Sequence, residues 1–397
     1  MQTLTGVIQD YAWGSLDGIP ATLGTPQTGA PQAEYWLGAH PKAPSTLPDG
    51  TPLDAHLAER PALIGAATVS RFGPRLPFLL KVLSADRALS LQAHPSRAQA
   101  IEGYARENRD GVALDALDRN YRDDWPKPEA VIALTEFHGL CGFRDPAQTR
   151  ALFAQLGLSA TDDLMLPLAE PDGIARVFLS FLALEDLYAD VVAEVVDAAR
   201  AALRTAEPGT DFHLFCTTAV ELAEDYPGDP SLLAALMLNR ILLQPGEAFF
   251  MPAGNLHAYL RGTGIEVMSN SDNVLRGGLT PKHIDVDELA QVLDFTPGFP
   301  GLIEPVEVAP GVLHYPTEAL EFAVFQLTEP DESPVPAQPS ARIVLVTDGS
   351  FTLTVGGEEL TLAKGQAAFL EAGEDATVTG AGQAFLAAGG IPVASLH

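Results

Sequence analysis

Three short segments hold most of the residues in this chain that could do chemistry. The first is Leu89-Ser90-Leu91-Gln92-Ala93-His94-Pro95. On a strand, side chains two apart share a face, so Ser90, Gln92 and His94 line up. A Gln carbonyl oxygen and a His ring nitrogen can both ligate a metal. The second is Trp125-Pro126-Lys127-Pro128-Glu129. Its prolines hold the backbone extended, so Lys127 and Glu129 share a face. Glu129 offers an anionic ligand, and Lys127 an acid/base group or a phosphate contact. The third runs from His257 to Lys282 and adds Tyr259, Glu266, Asp272 and Arg276. Gly277 and Gly278 allow backbone to approach a ligand closely, and Arg276 with Lys282 suits an anionic group. Gln92, His94, Glu129 and His257 together supply two imidazole nitrogens, an amide oxygen and a carboxylate. That is a four-ligand set for Zn²⁺, with room for water or substrate oxygens. The same mixed set accepts Mn²⁺, Fe²⁺ or Co²⁺.

The rest of the chain must position these groups. It has 397 residues, 47% hydrophobic and 19% charged, which is the balance of a globular protein of two to three domains. Gly (35) and Pro (32) are frequent and aperiodic, which points to a turn-rich β protein rather than a helical bundle. Lys plus Arg is 23 against 52 Asp plus Glu, a net charge of −29. Such a surface argues against non-specific nucleic-acid or anionic-membrane binding. Against that background cations are scarce. Of only five lysines (Lys42, Lys81, Lys127, Lys282 and Lys364), the middle three lie among His, Glu or Arg. Cys141 and Cys216 imply no disulfide framework and a reducing compartment. No apolar run reaches membrane-spanning length, and Met1–Trp13 lacks the features of a signal peptide. The expected location is cytoplasmic, and the expected state monomer or homodimer.

The pattern predicts a β part, a helical insert and a second β part. Leu76–Leu83 reads as a buried strand. Residues 96–120 read as helix with Ser96 as N-cap, and Asp145-Pro146 opens another helix. Helices are also predicted over Ile174–Leu203 and Ser231–Leu243. The expected units are 1–145 and 243–315 (one catalytic β domain), 146–242 (helical insert) and 316–397 (C-terminal β domain). Residues 330–340, rich in Pro, read as a loop.

One internal repeat bears on the fold. Gly246 to His257 reads Gly-x5-Pro-x-Gly-x2-His, which resembles the second motif of the cupins, β-barrel jelly rolls. The family's Asn four residues after the His is Arg261 here. Gly365 to Ala376 keeps the glycine spacing, but Glu371 replaces Pro252 and Ala376 replaces His257. The second copy therefore reads as a degenerate unit without its metal ligand.

These motifs, with Tyr11-Ala-Trp13-Gly14, Glu34-Tyr-Trp-Leu-Gly-Ala-His-Pro-Lys42 and the whole His257–Lys282 segment, resemble the type I mannose-6-phosphate isomerases (phosphomannose isomerases). The resemblance spans nearly the whole chain. It implies a mainly β fold of cupin-like jelly-roll domains with an inserted helical domain. It implies Gln92, His94, Glu129 and His257 as zinc ligands and Arg276 as a catalytic residue. It implies Ser90, Lys81, Lys127 and Lys282 around a sugar phosphate, with Trp13, Tyr259, Glu266 and Asp272 in the pocket. The implied partner is a phosphorylated hexose. The family reads Asn-His before its Lys-Pro-Glu, where this chain has Trp125-Pro126. A His acting there in relatives has no counterpart here. Gly277 and Ser269 each replace a family Ala.

Aldose–ketose isomerisation moves a proton between C2 and C1 through an enediol. A metal can polarise the oxygens and a base must carry the proton. Lys127, Asp272, Glu266 or a metal-bound water are the candidates. Arg276 stays protonated and stabilises negative charge. Two other readings compete: a cupin oxygenase, whose usual His-rich ligand sets lack Gln, and a non-catalytic sugar-binding cupin, in which ligands decay as Ala376 suggests. His40, His56, His138, His213, His283, His314 and His397 receive no role.

Overall fold

The computed structural model describes residues 1–390 apart from 184, 300 and 338. Residues 391–397, expected in the C-terminal unit and including His397, lie outside the described residues. The strand Phe78–Ala85 shows how the barrels are built. It is buried along its whole length. Leu80 and Val82 face a core shared with the C-terminal unit, while Leu83 and Ala85 face a barrel interior. Covered on both faces, such a strand reads as an unbroken apolar run.

Phe78–Ala85 pairs antiparallel with the long strand His257–Ser269, with Glu266 opposite Lys81. The long strand also pairs with Glu129–Ala133 and Phe137–Phe143 and, at His257, with Leu91–Ala93. Strands from before and after the helical insert therefore interleave in one 10-stranded sheet. The chemical segments, far apart in sequence, meet there.

The insert begins as expected at Pro146–Ala154, where the Asp145 side chain accepts from the Ala147 and Gln148 amides. Helices Gly173–Ala183, Glu185–Ala202 and Asp211–Asp225 follow. Their apolar faces form one core with Leu91, Leu256 and Leu275 of the barrel, so the insert packs directly under the strands that carry the site.

Three expectations change. Ser231–Leu243 is not one helix. Ser231–Ala235 is helical, but Leu238–Leu243 is a strand paired with Phe137–Phe143. Sheet pairing outweighs the helical propensity of a Leu-rich run. Residues 96–120 are helical only over Arg97–Arg109, with a capping box between Ser96 and Gln99. Beyond it, Arg119 donates to the Val112 and Tyr121 carbonyls and holds the segment as a loop. The expected unit boundaries also shift. Val306–Ala309 and Val312–Tyr315 join the C-terminal nine-stranded sheet rather than the catalytic one, and so does Gln2–Leu4, which pairs with 367–369.

The internal repeat is structural. In both copies a left-handed glycine (Gly246, Gly365) leads into a four-residue strand. A second left-handed glycine (Gly254, Gly373) then turns into a 13-residue strand. The fold is thus mainly β and cupin-like, two related barrels with a helical insert in the first. No helix among the described residues is long and apolar enough to cross a membrane.

Candidate metal centre and active-site cavity

The first barrel opens into a cavity of about 750 Å³. Gln92 sits at its floor on Leu91–Ala93, directly opposite both His257 and Arg276 on the flanking strands. Opposed residues in antiparallel strands put their side chains on one face, so His257, Gln92 and Arg276 form a row. His94 follows two residues on. The turn before His257 is tied to this strand, because the Gly254 amide donates to the His94 carbonyl at 2.8 Å. Gly254 is left-handed (φ 78°), and an added Cβ would lie 2.9 Å from the Val292 carbonyl. Glycine is required there.

His94, Glu129 and His257 converge, each offering a ligand atom within 4.8 Å of the others. His94 Nε2 lies 3.3 Å and His257 Nε2 3.2 Å from Glu129 Oε2. His94 Nδ1 donates to the Asn273 carbonyl (2.8 Å) and His257 Nδ1 to the Asn255 carbonyl (3.1 Å). Each Nε2 is therefore a bare lone pair in the neutral ring. The two Nε2 atoms and Glu129 Oε2 are all buried without a hydrogen-bond partner. Three buried acceptors aimed at one another, around neutral rings, are an arrangement that a bound cation would satisfy. The donor set, two imidazoles and a carboxylate with the Gln92 amide beside them, fits zinc. Burial and the Lys127 ammonium lower the His94 pKa to about 4, which keeps this ring neutral and ready to ligate.

Behind this group lies a buried ionic cluster. Lys81 Nζ bonds Glu266 Oε2 at 2.8 Å and Glu34 Oε1 at 3.2 Å. Tyr259 donates its hydroxyl to Glu266 Oε1 at 2.8 Å. Lys127 Nζ meets Glu129 Oε1 at 2.8 Å, as the shared face predicts. Burial raises the Glu266 carboxyl above its ordinary value, against the pull of Lys81. The two carboxylates hold Lys81 protonated, well above the ordinary lysine value, despite its burial. Asp272 moves the other way. Lys42 Nζ at 2.9 Å and His40 Nε2 at 3.5 Å keep it below the usual carboxylate range although burial opposes them.

Cations gather on the remaining wall. Arg276 and Lys282 line the cavity with Arg122 and Lys42. The Arg276 guanidinium and the Lys282 ammonium have no hydrogen-bond or ion-pair partner among the described residues. Burial and neighbouring positive charge pull both below their ordinary values. In a chain of net charge −29, the unneutralised charges of Arg276 and Lys282 suit an anion.

Gln92, Glu129, Ser90, Lys81, Lys127, Tyr259, Glu266, Asp272, Arg276, Lys282 and Trp13 all line this one cavity, and His94 and His257 lie buried beneath it. Trp125 does not line it. It is fully buried against Phe72 and under the Arg75 guanidinium, so the Trp125-Pro126 departure faces a packing layer. Several participants received no role in the sequence reading. Asn273 accepts from His94 and also takes the Arg122 amide on its side-chain oxygen. Arg122 and Tyr226 reach the wall from a loop and from the insert. Glu34, Tyr11 and Lys42 lie inside quoted motifs but received no separate role.

A cupin-like barrel with a buried metal-ligating group under a cationic cavity is the architecture of a metal-dependent enzyme for a small polar anion. Residues 1–146 match the family described as phosphomannose isomerase type I, catalytic domain. The chain is 36% identical over 394 residues to mannose-6-phosphate isomerase of Escherichia coli K12, covering 96% of this chain and 98% of that one. It is 34% identical to that of Rattus norvegicus over 94% of this chain and 93% of the relative. A crystal structure of mannose 6-phosphate isomerase bound with zinc and yttrium superposes with a TM-score of 0.87 at 33% identity. That match covers 98% of this chain and 100% of the other. The chain belongs to the type I mannose-6-phosphate isomerase family and is an isomerase, and the oxygenase and binding-module readings give way to that.

Proposed function

We propose that this chain interconverts mannose 6-phosphate and fructose 6-phosphate through an enediol, with one Zn²⁺ held by Gln92, His94, Glu129 and His257. The observation that carries the metal site is the set of three buried, partnerless acceptors converging at the cavity floor. Bound there, zinc supplies a Lewis acid that polarises substrate oxygens and stabilises developing negative charge. The protein's own groups do the rest. Arg276 and Lys282, with Arg122 beside them, hold the phosphate and orient the reacting carbons.

Two carboxyls in one site with opposite shifts suit different tasks. Glu266, raised by burial, is the better proton carrier between C2 and C1, and the Tyr259 hydroxyl and Lys81 ammonium hold it in place. Asp272, lowered by His40 and Lys42, stays ionised and accepts hydrogen bonds from the sugar hydroxyls. Lys127 neutralises Glu129 at the cavity floor.

The test is isomerisation of mannose 6-phosphate by the purified protein, before chelation, after it, and after zinc is restored. Activity lost with the chelator and regained with zinc is the expected result. A folded protein inactive in all three states would overturn the reading.

A further inference from the structure

Asp272 is held from outside the cavity by a residue that does not line it. His40 is buried, and its ring meets Trp36 edge-on with centroids 4.8 Å apart. The Lys42 backbone amide donates to His40 Nδ1 at 3.2 Å. A ring nitrogen that accepts carries no proton, so the proton of the neutral imidazole sits on Nε2. That Nε2 faces Asp272 Oδ1 at 3.5 Å, while Lys42 Nζ takes Oδ2 at 2.9 Å. A single three-residue stretch therefore addresses both oxygens of the carboxylate. The two groups differ in kind. Lys42 is more than half exposed, a flexible point charge that neutralises without fixing a plane. His40 is a buried planar ring fixed by Trp36 and by the Lys42 amide.

The same stretch is wired to the ionic cluster. The Trp36 indole donates to Glu34 Oε2 at 2.9 Å, and Glu34 and Glu266 share Lys81. The contacts thus run from His40 through Trp36, Glu34 and Lys81 to Glu266.

We infer that His40 is a positioning residue for the isomerase reaction, its Nε2–H fixing the plane of the Asp272 carboxylate at the cavity wall. The inference rests on the isomerase reading of this cavity. A misplaced catalytic group costs on the order of 100-fold in rate, so the effect belongs in kcat. The charged and titratable groups facing Asp272 are His40 and Lys42 from one segment, Tyr11 from the N-terminal segment and Asp123 from the segment before Trp125.

The experiment compares His40→Gln with His40→Asn in the zinc-loaded protein. Gln reaches with its amide N–H to the Nε2 position and keeps the contact to Asp272. Asn reproduces only the Nδ1 position. His40→Gln should keep kcat within about 3-fold of wild type, and His40→Asn should lose about 10- to 100-fold in kcat with KM within about 3-fold. Equal activity in both variants, or equal losses in both, would overturn the inference. Nitrogen NMR of wild type gives a test free of substitutions. His40 should carry its proton on Nε2, and a proton on Nδ1 would also overturn it. Failure of wild type to isomerise the sugar phosphate would instead remove the functional reading, and the tautomer would still decide the geometry.

Discussion

Replacing Lys81 by Met tests the ionic cluster behind the site. The Lys81 ammonium is shared by Glu266 at 2.8 Å and Glu34 at 3.2 Å, with all three side chains nearly removed from water. At an effective dielectric of about 20, a pair of unit charges at the 2.8 Å separation attracts by about 6 kcal/mol. Removing each ion from water costs several kcal/mol, so the intact cluster contributes little net stability. Its broken form is different. Lys81→Met leaves two carboxylates in the barrel without their cation, and a buried pair broken this way costs about 3–5 kcal/mol. Burial already raises the Glu266 carboxyl, and losing Lys81 raises it further. A carboxyl whose pKa is higher in the folded chain than in the unfolded one favours the fold as pH drops. The loss should therefore be full at pH 7 and smaller at pH 5. Adding Glu266→Gln to Lys81→Met removes one of the stranded anions and should recover part of the loss at pH 7. Urea unfolding of the three zinc-loaded proteins at both pH values measures this. A loss below about 1 kcal/mol at pH 7, or an equal loss at both pH values, would refute the reasoning and imply that water reaches the cluster.

Arg276→Ala should lower kcat/KM by about 100-fold, the scale of losing a group that orients the reacting carbons. It should change stability by no more than about 0.5 kcal/mol, because the Arg276 guanidinium has no hydrogen-bond or ion-pair partner among the described residues. Initial rates and unfolding midpoints on the same samples separate the two. Trp125→Ala should cost about 3–5 kcal/mol through the cavity left against Phe72 and Arg75. Its zinc content should match wild type, and loss of the metal would show that this layer shapes the site. In metal-free protein, His94 stays neutral down to about pH 4, whereas the unfolded chain protonates it near its ordinary value of 6.5. Stability should fall across that interval as pH drops, since the unfolded state binds the extra proton. A flat unfolding midpoint from pH 6.5 to 4.5 contradicts this.

The parts of the site legible in the sequence are those set by strand alternation. Ser90, Gln92 and His94 lie on or beside one short strand, and Lys127 with Glu129 lies on one extended stretch. Period-two geometry puts such groups on a shared face whatever surrounds them. The glycine spacing of the repeat was legible for a similar reason, because left-handed turns demand glycine at both ends of the short strand. Asn273 and His40 were hidden because their roles arise from pairing at long range. The Asn273 carbonyl meets a His94 ring 179 residues away in sequence, and no local pattern marks such a contact. The helical reading of Ser231–Leu243 failed because Leu238–Leu243 is set by its pairing with Phe137–Phe143, some hundred residues earlier, which no local pattern marks. The boundary at 315 failed because edge pairing, not composition, assigns Val306–Tyr315 to the second sheet.

The pairing of Gln2–Leu4 with residues 367–369 bears on how the molecule is made. During synthesis Gln2–Leu4 is made long before residues 367–369 and lacks this partner until they have left the ribosome. The first barrel is half in that position, since Phe78–Ala85 can pair at once with Glu34–Gly38 on one edge but waits for His257–Ser269 on the other while the insert is translated between them. The helices of the insert, rich in local contacts, are the part able to settle early. The ordering of the cavity floor is therefore a late event, and a nascent chain stopped short of residue 257 carries His94 and Glu129 without the third member of their group.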